Sequence, residues 1–126
     1  MRICKVRIFT RFQRREGISD ASLVKAVREA TDGLIDADLG GGLIKQRVAR
    51  SGGGKRGGYR TVLAFRRGHR AVFLYGFAKS RRANIDDDEI DVLRRRGSEL
   101  LSAAESELDD MIADDRLAEV IGDQED

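Results

Sequence analysis

Apolar and polar residues alternate from the second position of the chain. Residues 2–9 set Arg2, Cys4, Val6 and Ile8 against Ile3, Lys5, Arg7 and Phe9, a period of two that predicts a strand. "TRFQRREG" then reads as a short helical turn closed by Gly17. The period changes at Ser19, a good N-cap with Ile18 and Leu23 placed as a hydrophobic staple. Leu23, Val27, Ala30 and Leu34 follow at steps of 4, 3 and 4, which is one face of a helix, and Gly33 is placed to end it. "DADLGGG" (36–42) reads as a loop.

Three further strands are predicted. "LIKQRVAR" (43–50) and "YRTVLAFR" (59–66) flank the glycine-rich "SGGGKRGG". "RGH" (67–69) makes a tight turn into "AVFLYGFAK" (71–79), which is apolar on both faces, as a central strand covered on both sides would be. A loop and a turn between these strands imply an antiparallel meander, with the N-terminal strand joining the same sheet. Asp86 then caps a helix with Glu89 in the capping-box position and Ile85 and Ile90 as the staple. Ile90, Leu93, Gly97, Leu100, Ala104, Leu108 and Met111 share a face, so one long helix is expected, fading between residues 114 and 122. The pattern predicts an α+β fold: an antiparallel sheet of about four strands, N-terminal helices and a long C-terminal helix. A length of 126 residues suits a single domain, residues 1–126, with an acidic C-terminal segment at 105–126.

Charge changes this picture most. Residues 39–85 contain no Asp or Glu but hold twelve Lys or Arg, whereas residues 105–126 hold ten acids against Arg116 alone. A long acid-free basic span points to a polyanion surface, with nucleic acid the leading candidate. The acidic end also carries Leu108, Met111, Ile112, Leu117 and Val120, enough to dock. It could fold near the basic face or mark a partner's contact region; the alternative is a solubilising tail. No apolar run approaches the roughly 18 residues of a membrane span. "MRICKVRIF" has no apolar core of an export signal, and a lone cysteine, Cys4, fits a reducing compartment, so a cytoplasmic protein is expected. One His and one Cys are too few for a metal constellation. His69, in the predicted turn, reads as an exposed turn residue, and Cys4 as a small buried one.

The glycine loop fails as a phosphate-binding P-loop. Gly54-Lys55 is followed by Arg56 rather than a hydroxyl residue, the first glycine position is Ala49, and a strand rather than a helix follows. A dinucleotide fingerprint fails for the same topological reason. What remains is a hairpin loop that carries Lys55 and Arg56 at the edge of a basic sheet and leads through Gly-Gly-Tyr-Arg into Arg60.

"LIKQRVAR", "GKRGGYRT" and "FLYGFAKSRRANI", in this order and at compatible spacing, resemble the RelE/HigB branch of the RelE/ParE superfamily of type II toxins. The resemblance extends over nearly the whole chain. It implies a twisted antiparallel sheet with helices on one face and a basic concave active face. It further implies a toxin that cuts mRNA in the ribosome without metal or cofactor, and a cognate antitoxin as partner. Carried over by motif, Arg60 corresponds to a phosphate-binding arginine, Lys45 and Arg47 to catalytic or binding cations, and Lys79 to the lysine ending the last strand. Arg50, Lys55, Arg56, Arg81, Arg82 and Tyr59 are the expected RNA contacts. Two positions depart from RelE itself: Ser80 stands where an arginine follows that lysine, and Asp86 where a tyrosine stands near the helix start. Two other activities fit the same composition, a ParE-like inhibitor of DNA gyrase and a non-catalytic RNA-binding module.

Overall fold

In the computed structural model, which describes residues 1–49 and 58–121, the alternating start is a strand for only five residues, β1 (Arg2–Val6). The chain then turns directly into helix α1 (Arg7–Glu16). This corrects the strand expected through Phe9. Phe9 and Phe12 lie three apart, and a helix is what brings both onto one face, with the Phe9 ring 5.1 Å from that of Phe73. Gly17 closes α1 in the left-handed conformation, at φ 70°. Helix α2 (Asp20–Thr31) starts as expected, with the Ser19 hydroxyl accepting a hydrogen bond from the Ser22 amide. Leu23, Val27 and Ala30 are buried, but Leu34 lies past the helix end and is 66% exposed.

"DADLGGG" is not simply a loop. Its first half forms a short edge strand, β2 (Ala37–Gly40), antiparallel to β3 (Leu43–Val48) with Ala37 opposite Lys45. Strands β4 (Tyr59–Arg66) and β5 (Arg70–Ala78) continue the meander through the expected turn. β1 joins β5 in parallel, Arg2 opposite Arg70, and a last strand, β6 (Leu117–Glu119), adds antiparallel to β1. The sheet therefore has six strands in the order β2-β3-β4-β5-β1-β6 and is mixed, where about four antiparallel strands were expected. Both missed strands are short edges, and backbone pairing to a neighbour, rather than side-chain alternation, makes them.

Both faces of the sheet are covered, which corrects the expectation of helices on one face. α1 and α2 pack on Ile44, Val48, Tyr59, Leu63 and Phe73. On the other face Leu43, Val62, Ala64, Leu74 and Phe77 pack with helices α3 (Asp87–Ser102) and α4 (Glu105–Ala113). β5 is thus the doubly covered strand that its composition predicted. Close approach depends on glycine at two points. A Cβ on Gly97 would stand 3.0 Å from that of Ala64, and one on Gly76 would stand 2.4 Å from Phe12 Cε2. Gly76→Ala is therefore expected to lower stability by about 1–3 kcal/mol through overpacking against the Phe12 ring. A thermal melt checks this, and an unchanged melting temperature would refute the contact.

The single long C-terminal helix does not form. Arg70, 1% exposed, projects its guanidinium at the end of α3, where Nη1 donates to the carbonyls of Leu100 (2.8 Å), Leu101 (3.4 Å) and Ala103 (2.7 Å). Those oxygens are then satisfied without a following turn of helix, and Ala103 adopts an extended ψ of 145°. Residue Ala104 restarts the chain as α4, its amide donating to Glu107 Oε1. Leu108, Leu117 and Val120 are buried, so the acidic segment docks. No helix among the described residues is long and apolar enough to cross a membrane.

Candidate nucleic-acid interface

Strand register assembles the cations. Arg47 of β3 lies opposite Arg60 of β4, and Arg60 lies opposite Phe77 of β5. In the next row Lys45 lies opposite Val62, and Val62 opposite Tyr75. Residues directly opposite share a face, and Val62 and Phe77 place these rows on the α3 side of the sheet. Arg47 is 49% exposed along its side chain, whereas the Arg60 side chain is 9% exposed. Like charges on directly opposite strand residues are destabilising.

Asp36, just before β2, offsets that repulsion. Arg47 Nε donates to Asp36 Oδ1 at 3.2 Å, and Arg60 Nε lies 3.8 Å from Oδ2. Asp36 is itself anchored, because its amide donates to Gln46 Oε1 at 2.9 Å. Gln46, 2% exposed, in turn donates through Nε2 to the carbonyls of Ala26 and Leu34. Arg60 Nη1 is buried and has no hydrogen-bond partner among the described residues. A buried guanidinium donor without a partner is uncommon, and among the described residues Arg70 Nε, at the other end of the strands, is the second case.

At the far side of the site the segment after β5 folds over the face. Arg82 makes a paired contact with Glu89 (2.6 and 3.1 Å), donates to the Tyr75 hydroxyl at 3.1 Å and to the Asn84 carbonyl at 2.8 Å, and sits 5.7 Å over the Phe77 ring. This ion pair, together with the Asp86 amide, pulls the Glu89 carboxyl down to about 2. Arg82 therefore ties the strand end to the start of α3, where Asp86 and Glu89 form the expected capping box. Lys45 Nζ reaches Asn84 Oδ1 at 3.5 Å. Lys79 and Arg81 are exposed and have no side-chain bond or ion pair among the described residues.

The structure thus brings together Lys45, Arg47 and Arg60, with Arg82 beside them but committed to Glu89. Lys79 follows Phe77 by two residues, at the end of β5. Tyr59 is corrected: it is 4% exposed in the core under α1, edge-on to Phe12, so its ring has no free face for a base. The sequence contained that signal, since strand alternation puts Tyr59 and Arg60 on opposite faces. Arg50, Lys55 and Arg56 lie outside the described residues. Asp36 and Gln46 were missed as members of the site. His69 is an exposed turn residue, and Cys4 is fully buried, its thiol pushed up to about 11 by burial. The acidic segment packs on the same side of the sheet but does not cover these cations. Its Glu105, Asp109 and Glu119 pair with Arg2, and Glu105 also with Arg70, at the opposite end of the strands.

A family model described as the RelE toxin of the RelE / RelB toxin–antitoxin system matches residues 1–120. The chain belongs to the RelE toxin family. It is thus the toxin of a toxin–antitoxin pair, and RelE membership implies a cognate antitoxin partner. No curated protein matches the chain. The match takes in every strand and helix described above, β6 included.

Proposed function

We propose that this RelE-family toxin, of the HigB-like branch, is a ribosome-dependent mRNA endonuclease acting in the cytoplasm without a metal ion. The observation that carries the reading is the Arg47–Arg60 pair on one sheet face, with the buried Nη1 of Arg60 unpartnered. In the reaction the 2′-oxygen of a nucleotide attacks the adjacent phosphorus. The P–O2′ bond forms as the P–O5′ bond breaks, one proton leaves the 2′-hydroxyl and another reaches the departing 5′-oxygen. The products are a 2′,3′-cyclic phosphate and a free 5′-hydroxyl. Negative charge concentrates on the non-bridging oxygens in the transition state, where Arg60 and Arg47 would meet it. One such preorganised donor is worth about 10²–10³ in rate.

Lys45 and Lys79 supply further positive charge, and Lys45, Lys79 and Tyr75 are, with Asp36, groups among the described residues on or beside this face that can exchange a proton. The exposed Arg81, without a partner among the described residues, suits a backbone contact on either side of the cut, as do Arg50, Lys55 and Arg56 from their place in the sequence. Arg82 contributes by holding Phe77 and Tyr75 in place.

Induced expression followed by mapping of mRNA 5′ ends tests the proposal. Cuts at fixed positions within codons, present only in translated messages, are the expected result. DNA breaks with intact mRNA would overturn it in favour of a gyrase inhibitor. Intact mRNA and DNA together would leave an RNA-binding toxin without cleavage activity.

A further inference from the structure

The basic span has no acid of its own, yet the centre of the cationic site contains one carboxylate. Asp36 stands three residues before that span begins and reaches both arginines. Its contacts have a particular form. Arg47 hydrogen-bonds it through Nε, the nearest Arg60 atom, also Nε, lies 3.8 Å away, and neither side chain makes a hydrogen bond or ion pair to any other described residue. The terminal nitrogens of both guanidinium groups, the ones suited to paired recognition of a phosphate, have no partner among the described residues, although Arg60 Nη1 itself is buried. The carboxylate is also held in place rather than merely near: its side chain is 19% exposed, and its backbone is tied to the buried Gln46.

We propose that Asp36 is the internal counter-ion of the phosphate site, a positioning residue that holds Arg47 and Arg60 side by side with their terminal nitrogens free. This rests on the nuclease reading for its catalytic half and on the ion-pair geometry alone for its binding half. Without a negative charge between them, two facing guanidinium groups separate, and a phosphate must then gather them at its own cost. With the charge present they are already oriented, but the same carboxylate repels the polyanion. Asp36 therefore trades RNA affinity for orientation, and its removal should move binding and turnover in opposite directions. A carboxylate that merely stabilised the fold would lower both, or neither.

The test uses the full chain with Asp36→Asn, which keeps shape and the backbone bond to Gln46, beside Asp36→Glu, which keeps the charge. Binding is read with a short single-stranded oligonucleotide carrying 2′-deoxy sugars, which presents phosphates but has no nucleophile. Asp36→Asn is expected to bind about three- to tenfold tighter at low salt, the gain fading as salt screens it. On translating ribosomes its turnover is expected to fall about tenfold or more while KM also falls, with Asp36→Glu between it and the wild type. Weaker or unchanged oligonucleotide binding by Asp36→Asn would overturn the counter-ion role. Unchanged turnover would overturn the positioning role. If the wild-type protein cuts no mRNA, the nuclease reading and the positioning role fail together, and the binding comparison alone decides the counter-ion role.

Discussion

Replacing Arg60 by alanine is expected to abolish growth arrest while the protein remains folded. The side chain is 9% exposed, yet it makes no hydrogen bond to another described residue, so the native structure loses the packing of its stem but no hydrogen bond. Its one ionic contact, to Asp36 at 3.8 Å, is backed up by Arg47 at 3.2 Å, so the carboxylate keeps a partner. The transition state, in contrast, loses a buried and preorganised donor, a loss of about 10²–10³ in cleavage rate. Arg60→Lys should recover only part of this, because an ammonium is a point charge and cannot make the paired contact. Growth after induced expression, with a circular dichroism spectrum of the purified variant, checks both halves. A folded Arg60→Ala protein that arrests growth as fast as the wild type would remove Arg60 from the site.

Arg70→Met should do the reverse, costing stability first and activity only through it. Arg70 is more deeply buried than Arg60, but Nη1 and Nη2 are both in use, on the carbonyls at the end of α3 and on Glu105. Methionine fills much of the volume and leaves the carbonyls of Leu100 and Ala103 without their donor. At about 1–3 kcal/mol for each buried group left unsatisfied, a loss of about 2–6 kcal/mol follows. For a domain of this size that lowers the melting temperature by about 10–20 °C. Toxicity should persist at low temperature, where the variant is still folded. A melting temperature within about 2 °C of the wild type would show that α3 ends without help from Arg70. The Glu105 partner adds a pH signature. Arg2 and then Arg70 hold its carboxyl below the ordinary value of 4.5, so its share of stability is present above that pH and is lost as acid titrates the folded state.

These two arginines show why composition alone could not assign the site. Both sit in strands of the acid-free span, and both are buried. Arg70 has Nη1 aimed at backbone oxygens thirty or more residues away and leaves only Nε unused, whereas Arg60 makes no hydrogen bond to another described residue. Nothing within a few residues of either distinguishes them except the Gly-Gly-Tyr-Arg motif that precedes Arg60.

What the amino-acid sequence determined by itself is whatever depends on near neighbours. The bounds of β4, the turn through Gly68, the Ser19 cap and the Asp86–Glu89 capping box all formed where expected, because alternation, a left-handed glycine and a side chain bonding an amide three residues on are local matters. The basic span and its motifs were legible in the same way, and with them the RelE family. Tertiary structure alone decided the rest. β2 and β6 are strands because β3 and β1 offer them an edge, and the helix after residue 86 breaks because a guanidinium from β5 meets its carbonyls. Asp36 belongs to the site because Gln46 and the β3–β4 register carry it there from outside the basic span. In each of these cases the deciding partner lies far away in sequence or on another strand, and a hydrogen bond or ion pair acts on whatever the fold brings within a few ångströms.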